Sequence, residues 1–125
     1  MHVVDLSGKG RGVVAATPFA AGALIERVAV IPVSAAQAAH LDHTVLEHYV
    51  FDWEAGGVAV ALGCGSLYNH SYAPNAVYRK LFAERAIEYV ALADIAAGDE
   101  IVINYNGDPL DRAPLWFAVV EQPGS

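Results

Sequence analysis

The sequence predicts a mostly β domain with little helix. Its 125 residues suffice for one domain with a buried core, and 55% of them are apolar. Most of the chain divides into short runs rich in β-branched and aromatic residues, each bounded by Gly, Pro, Asn or Asp. A clear helix start occurs at one place, and many short strands with little helix are typical of β domains.

The charge balance and the apolar runs narrow the possible partners. Asp and Glu total 14 against 7 Lys and Arg, a net charge of -7, which disfavours nucleic-acid binding and favours a cationic partner. No apolar run reaches the roughly 18 to 20 residues that span a membrane, and the start at Met1 lacks the features of a signal peptide. We therefore expect an intracellular, cytoplasmic protein with no direct nucleic-acid or membrane binding. Secretion to a host, or action in a host nucleus, stays open.

The N-terminal part combines an alternating glycine run with a β-rich segment. Three alternate glycines between residues 8 and 12 let the backbone approach a ligand closely, although such a run is more often a turn. It is not a dinucleotide-binding fingerprint, because Pro18 argues against the helix that must follow one. Residues 24–33 predict one or two short strands, and we expect Pro32 to end them.

The middle of the chain predicts one short helix and no metal site. Ser34 precedes a run of strong helix formers and is the expected N-cap, with irregular structure after the helix. His40, His43 and His48 have spacings that give no clear one-face ligand set, so hydrogen-bonded or solvated roles are favoured over metal binding. The single cysteine, Cys64, excludes an internal disulfide and a cysteine zinc cluster.

Two hairpins are predicted between residues 50 and 93, one around a Gly pair and one around a Glu-Arg pair. Their strands lie at residues 50–53 with 58–62, and at residues 76–83 with 86–93. A turn at residues 94–100 then leads into a short strand at 101–105.

A polar, turn-rich stretch at residues 69–75 reads Asn-His-Ser-Tyr-Ala-Pro-Asn and lies between apolar runs. A polar loop inside a core is costly unless its groups are satisfied or bind something. This stretch is therefore predicted to form part of the functional site.

Three segments, taken in order, resemble the motifs of the SET-domain protein-lysine methyltransferases. Residues 10–13, Gly-Arg-Gly-Val, are similar to the N-terminal glycine motif of that family. Residues 69–75 resemble its N-H-S-C-x-P-N core, and residues 98–105, Gly-Asp-Glu-Ile-Val-Ile-Asn-Tyr, resemble its G-E-E-L-T-Y-D-Y end. The size of the chain is similar to that of the minimal viral-type members, which lack flanking zinc subdomains.

The resemblance implies the SET-domain fold, a set of small curved β-sheets around a C-terminal pseudoknot. In that topology the C-terminal segment passes under a loop and lies beside the core motif. It also implies a single SET domain over residues 1–125, with a core at about residues 3–108 and a tail at 109–125. The resemblance to the viral-type members also implies that this protein forms a homodimer.

The cofactor that the resemblance implies is S-adenosylmethionine. The family binds it mainly through backbone groups of the glycine motif and of the Asn-His pair, and through the Asn side chain. Carried onto this sequence, the cofactor-binding residues are Gly10, Arg11, Gly12, Asn69 and His70. Trp116 or Phe117 is expected to cover the adenine, with packing of an apolar tail on the core as an equal alternative.

The catalytic residue implied by the resemblance is Tyr105. A phenol with a pKa near 10 is a poor base at neutral pH, so we expect Tyr105 to position the substrate amine and to act electrostatically. Tyr78 is either a second channel tyrosine or an exposed strand residue, and Tyr49 is a further candidate for the channel wall. Ile103 lies where the family controls the number of methyl groups, and its small, non-hydroxylated side chain favours di- or trimethylation.

The predicted function is therefore methyl transfer to lysine in a basic protein such as a histone. Tyr72 replaces the usual Cys of the core motif and Ser66 stands where many members carry Arg, but both positions vary in the family. The alternative is a non-catalytic SET-like module that binds a basic peptide. Retention of Tyr105 and Asn69 favours the enzyme, and we expect these two residues to lie around one cavity.

Overall fold

The computed structural model of the protein describes residues 1–6, 10–107 and 110. In these ranges it has nine β-strands, one short α-helix and three 3-10 turns, so the predicted mostly β fold is confirmed. The strands are β1 His2–Leu6, β2 Gly10–Val14, β3 Leu24–Val33, β4 Val50–Asp52, β5 Val58–Ala61, β6 Asn69–His70, β7 Ala76–Leu81, β8 Ala86–Ala91 and β9 Val102–Ile103. The helix α1 is Ala35–Ala38, and the 3-10 turns are Leu41–His43, Val45–His48 and Glu54–Gly56.

The largest sheet has five strands in the order β4-β5-β3-β8-β7. Its two edge strands meet, because the Phe51 ring of β4 packs edge-on against the Tyr78 ring of β7 at 5.1 Å. Trp53 and Phe82, beyond the ends of the same two strands, pack in the same way at 4.8 Å. These aromatic pairs show that the sheet curls until its edges touch, which is how it encloses space for a site.

The central strand β3 runs the full length of residues 24–33, so the expectation that Pro32 ends it is wrong. The first part of β3 pairs with β8 and the last part, Val30 to Val33, pairs with β5. Pro32 is opposite Ala59 of β5, and on its other side β8 no longer runs beside it. Proline is tolerated there because its missing N–H removes no ladder hydrogen bond.

Most local predictions agree with the structure. Ser34 caps α1, since its hydroxyl accepts a hydrogen bond from the Gln37 amide at 3.3 Å. Both predicted hairpins form, as the antiparallel pairs β4–β5 and β7–β8. The glycine run was not predicted to be strand, yet β2 pairs antiparallel with β1 from Gly10 to Val14.

The two halves of the site meet through the short parallel pair of β6 and β9. Asn69 lies opposite Val102 and His70 opposite Ile103. The polar motif thus lies beside the C-terminal motif, as the predicted topology requires, while the threading under a loop stays a prediction. Ile101, Val102 and Ile103 are each at most 1% exposed, so the junction is anchored in the core.

Candidate active site

A cavity of about 380 Å³ opens where the curled sheet meets the β6–β9 pair. All four residues that were predicted to form the catalytic centre and the substrate channel line it, namely Tyr49, Tyr78, Ile103 and Tyr105. The structure therefore brings together residues from three separate segments of the chain. The other lining residues are Glu47, His48, Val50, Phe51, Asp52, Gly65, Ser66, Tyr68, Lys80 and Asn106.

Tyr105 is held at both its backbone and its hydroxyl. Its backbone N–H donates to Nδ1 of the buried His70 at 2.9 Å, and the two rings are 5.2 Å apart. Its hydroxyl donates to the carbonyl oxygen of Tyr68 at 2.6 Å. Although 37% of Tyr105 is exposed, this residue has a defined orientation with its oxygen at the cavity wall.

The environment raises the pKa of Tyr105 to about 12, mainly through burial of the hydroxyl and then through the nearby Glu100 carboxylate and Tyr49. The phenol is therefore protonated at neutral pH and cannot act as a general base. Because its proton is donated to the Tyr68 carbonyl, its oxygen lone pairs can accept a hydrogen bond from an amine N–H. This arrangement can orient an amine without taking its proton.

Tyr78 forms the adjoining wall. It is half-buried on β7, and its hydroxyl donates to the Tyr105 carbonyl at 3.1 Å. Burial, and then the Asp52 carboxylate, raise its pKa. These contacts favour the channel position over the alternative of an exposed strand tyrosine.

Ile103 and Tyr49 complete the wall in different ways. Ile103 belongs to β9 and is 1% exposed, so the volume at this point of the cavity is fixed by core packing. Tyr49 follows a 3-10 turn capped by Thr44, whose hydroxyl accepts from the Leu46 amide at 3.2 Å. Tyr49 is exposed and lies towards solvent.

Sequence reasoning missed Tyr68, which supplies the carbonyl that holds the Tyr105 hydroxyl. Tyr68 is 1% exposed, its ring packs against Tyr89 at 4.5 Å, and its own hydroxyl donates to Glu26 at 2.6 Å. Its position directly before Asn69 could have indicated a role in the site. In the sequence alone, however, Tyr68 looks like an ordinary aromatic residue of the core.

The charged residues of the cavity were also missed. Glu47 and Asp52 carry negative charge, and Lys80 carries positive charge. Lys80 could have been placed from the sequence, because residues two apart on a strand share a face and Tyr78 precedes it by two.

Asn69 is not among the residues that line this cavity, and the expectation that it lies around one cavity with Tyr105 stays a prediction. Its side-chain amide donates to the Arg11 carbonyl at 3.2 Å and to the Glu100 carboxylate at 2.7 Å. Asn69 therefore belongs to a second cluster, which it forms with Arg11 and Glu100.

Two of the residues predicted to bind the cofactor, Arg11 and Asn69, meet in that second cluster. Gly12 is buried and Arg11 is exposed on β2, and Arg11 meets Asn69 through its carbonyl. Gly10 begins the same strand. The His70 side chain turns instead towards Tyr105, which leaves its backbone as the group that could meet a ligand. Trp116 and Phe117 lie outside the described residues.

Among the residues that the structure describes, no group of three or more His, Cys, Asp or Glu side chains could hold a metal ion. Across residues 1–6, 10–107 and 110, no helix combines the length and apolarity needed to cross a bilayer.

Comparison with known proteins identifies the family. A SET-domain profile matches residues 10–106. A histone-lysine N-methyltransferase of Schizosaccharomyces pombe, specific for lysine 37 of histone H3, is 36% identical over 118 residues, which are 94% of this chain and 76% of that protein.

Solved structures show the same fold. A candidate histone methyltransferase of Plasmodium falciparum superposes with a TM-score of 0.69 at 24% identity, covering 86% of this chain and 97% of that one. A humanized mutant of the Chaetomium thermophilum Polycomb Repressive Complex 2, bound to an inhibitor, gives 0.67 at 23% identity over 82% of this chain, which spans 14% of that chain. The chain therefore belongs to the SET-domain family of protein-lysine methyltransferases, as its three motifs predict.

Proposed function

We propose that the protein transfers a methyl group from S-adenosylmethionine to the side-chain amine of lysine in a basic protein such as a histone. The observation that carries the proposal is the cavity in which Tyr49, Tyr78, Ile103 and Tyr105 meet, with the Tyr105 hydroxyl fixed on the Tyr68 carbonyl. An elongated side chain ending in an amine fits a cavity with aromatic walls and one oriented oxygen.

The cofactor is proposed to bind at the second cluster, where Gly10, Arg11, Gly12, Asn69 and the His70 backbone lie. The chemistry there suits it, because the Asn69 amide nitrogen faces two acceptors and its oxygen faces away from them, available to a cationic group. When bound, S-adenosylmethionine supplies an electrophilic methyl group on a sulfonium. Trp116 or Phe117 is proposed to cover its adenine.

The residues of the cavity would act by position and by solvation. Partial burial removes water from a charged ammonium and so favours the neutral amine that can react. The Tyr105 oxygen then accepts a hydrogen bond from that amine and directs its lone pair away from Tyr105. Tyr105 keeps its own proton throughout, because its pKa is raised to about 12.

Ile103 is proposed to set the number of methyl groups. It is buried at the cavity wall and has no hydroxyl, so it offers no hydrogen bond that would hold a partly methylated amine in one rotamer. The amine can therefore turn after the first transfer, which supports di- or trimethylation.

A histone or another lysine-rich protein is the proposed substrate. The net charge of -7 favours such a partner, and the Schizosaccharomyces pombe relative is named for a histone H3 lysine. We also propose that the protein forms a homodimer, which analytical sedimentation tests. An intracellular, cytoplasmic location is proposed as well, and cell fractionation tests it.

The test is transfer of label from S-adenosylmethionine carrying a labelled methyl group to core histones and to whole-cell lysate. Wild-type protein should label one or more basic proteins, and Tyr105→Phe should lose most of that activity. Tyr72→Phe is the matched control, since it removes a phenol oxygen from the same region but outside the cavity. Equal labelling by wild type and Tyr105→Phe would contradict the proposed role of Tyr105, and no labelling by a folded wild type would contradict the proposed function.

A further inference from the structure

We propose that Glu100 is a positioning residue that orients the Asn69 amide and gives the cofactor site a preference for a cationic methyl donor over its neutral product. The inference rests on the proposed function and extends it to a residue not assigned to the site. It starts from the 2.7 Å hydrogen bond that the Asn69 amide donates to Glu100 Oε2.

The Glu100 backbone is fixed from two sides. The Asn75 side-chain amide donates to the Glu100 carbonyl at 2.8 Å and accepts from the Val102 amide at 2.9 Å. Glu100 also forms an antiparallel bridge with Val14, at the end of β2. Its half-buried carboxylate therefore starts from a rigid backbone and occupies a defined place.

The two partners of the Asn69 amide determine which way that amide points. The Glu100 carboxylate and the Arg11 carbonyl are both acceptors, and both lie within 3.2 Å of the same nitrogen. A flipped amide would place its oxygen against a carboxylate and a carbonyl, which is repulsive. The Asn69 oxygen consequently faces away from Glu100 and can accept from the ammonium group of a bound donor.

The Glu100 charge also acts towards Tyr105, since it is the largest electrostatic cause of the raised Tyr105 pKa after burial. One carboxylate thus influences both the Asn69 cluster and Tyr105. If the proposed function holds, the methyl group passes between those two places. The donor carries a sulfonium charge there, whereas S-adenosylhomocysteine has a neutral sulfur, so a fixed negative charge favours the donor.

The test compares the affinities of S-adenosylmethionine and S-adenosylhomocysteine for wild type and Glu100→Gln by calorimetry. We expect the ratio of the two affinities to shift by roughly tenfold against the donor in the variant, the size expected for one partly solvated charge pair. Sinefungin, which carries an amine in place of the sulfonium, should follow the donor. Glu84→Gln removes an equal charge at the exposed turn between β7 and β8 and should leave the ratio unchanged.

Three results would overturn the inference, and they are distinguishable. If Glu100→Gln weakens both ligands by one factor, Glu100 only supports the fold of the site. If a folded wild type binds neither ligand, the proposed function fails and the inference fails with it. If Glu100→Gln does not fold, Glu100→Asp decides: it keeps the charge, so the preference should persist while both affinities fall, and loss of the preference would refute the proposal.

Discussion

The contact between Tyr68 and Glu26 allows a quantitative test of how the residue that holds the Tyr105 hydroxyl is itself held. The Tyr68 hydroxyl lies 2.6 Å from Glu26 Oε1, a length typical of a charge-assisted O–H···O⁻ hydrogen bond. Such bonds contribute about 1.5 to 3 kcal/mol, and Tyr68 is only 1% exposed, so water does not replace its hydroxyl. Tyr68→Phe should lower the free energy of unfolding by about 2 kcal/mol, or the melting temperature by about 6 to 10 °C.

The assay is equilibrium unfolding in urea of wild type, Tyr68→Phe, Glu26→Gln and the double variant. Much of the cost of Tyr68→Phe arises because Glu26 keeps its charge without that partner, so the same change in the Gln background should cost about 1 kcal/mol less. Tyr49→Phe, at an exposed phenol, should stay within about 0.5 kcal/mol of wild type. A Tyr68→Phe cost below about 0.5 kcal/mol, or no coupling between the two sites, would mean that the Tyr68–Glu26 hydrogen bond does not stabilise the fold.

Three further outcomes follow from the structure. In a difference absorbance titration of wild type against Tyr105→Phe, the missing phenol should titrate near pH 12. The stability that this group contributes should be complete below about pH 10 and should be lost between about pH 10 and 12. Titration near the ordinary value of about 10 would contradict the effect assigned to burial and Glu100. Ile103→Tyr should shift the products towards monomethyl-lysine, because the new side chain adds a hydroxyl and takes up space in the cavity. Mass spectrometry measures the products, and Ile103→Val, which adds neither, should leave them unchanged. Circular dichroism checks that both variants fold. Asn75→Ala should cost about 2 to 3 kcal/mol in urea unfolding, because it leaves the Glu100 carbonyl and the Val102 amide without this partner, and a cost under about 1 kcal/mol would mean that water replaces both bonds.

The sequence was sufficient for features that depend on local chemistry. The N-cap at Ser34 and the turns of both hairpins follow from residues within a few positions of each other, and each has the predicted form. The meeting of Tyr49, Tyr78 and Tyr105 could be predicted only through the resemblance to a family, since no local rule joins segments so far apart in the chain.

The features that sequence reasoning missed depend on register and on three-dimensional pairing. Glu26 reads as an ordinary strand residue, but the register of β3 shifts between Leu24 and Glu26, and a bulge of this kind re-aims side chains. The result is a carboxylate that reaches the Tyr68 hydroxyl. Pro32 was misjudged for a similar reason, because its tolerance depends on which half of β3 pairs with which neighbour.

The contacts around Asn69 also depend on three-dimensional pairing. Asn69 and Tyr105 belong to matching motifs, and the pairing of β6 with β9 places those motifs side by side. The Tyr68 main-chain carbonyl accepts from the Tyr105 hydroxyl, whereas the Asn69 side chain meets Arg11 and Glu100. No local rule predicts these contacts, because they join segments that are far apart in the chain.

Lysine methylation by this protein can be detected by mass spectrometry of a lysine-rich substrate protein after incubation with S-adenosylmethionine carrying an isotopically labelled methyl group. We expect label on lysine side-chain amines with wild type, and near loss of that label with a Tyr105→Phe variant that still binds the cofactor. Label on another residue type, or undiminished lysine labelling by Tyr105→Phe, would contradict this expectation.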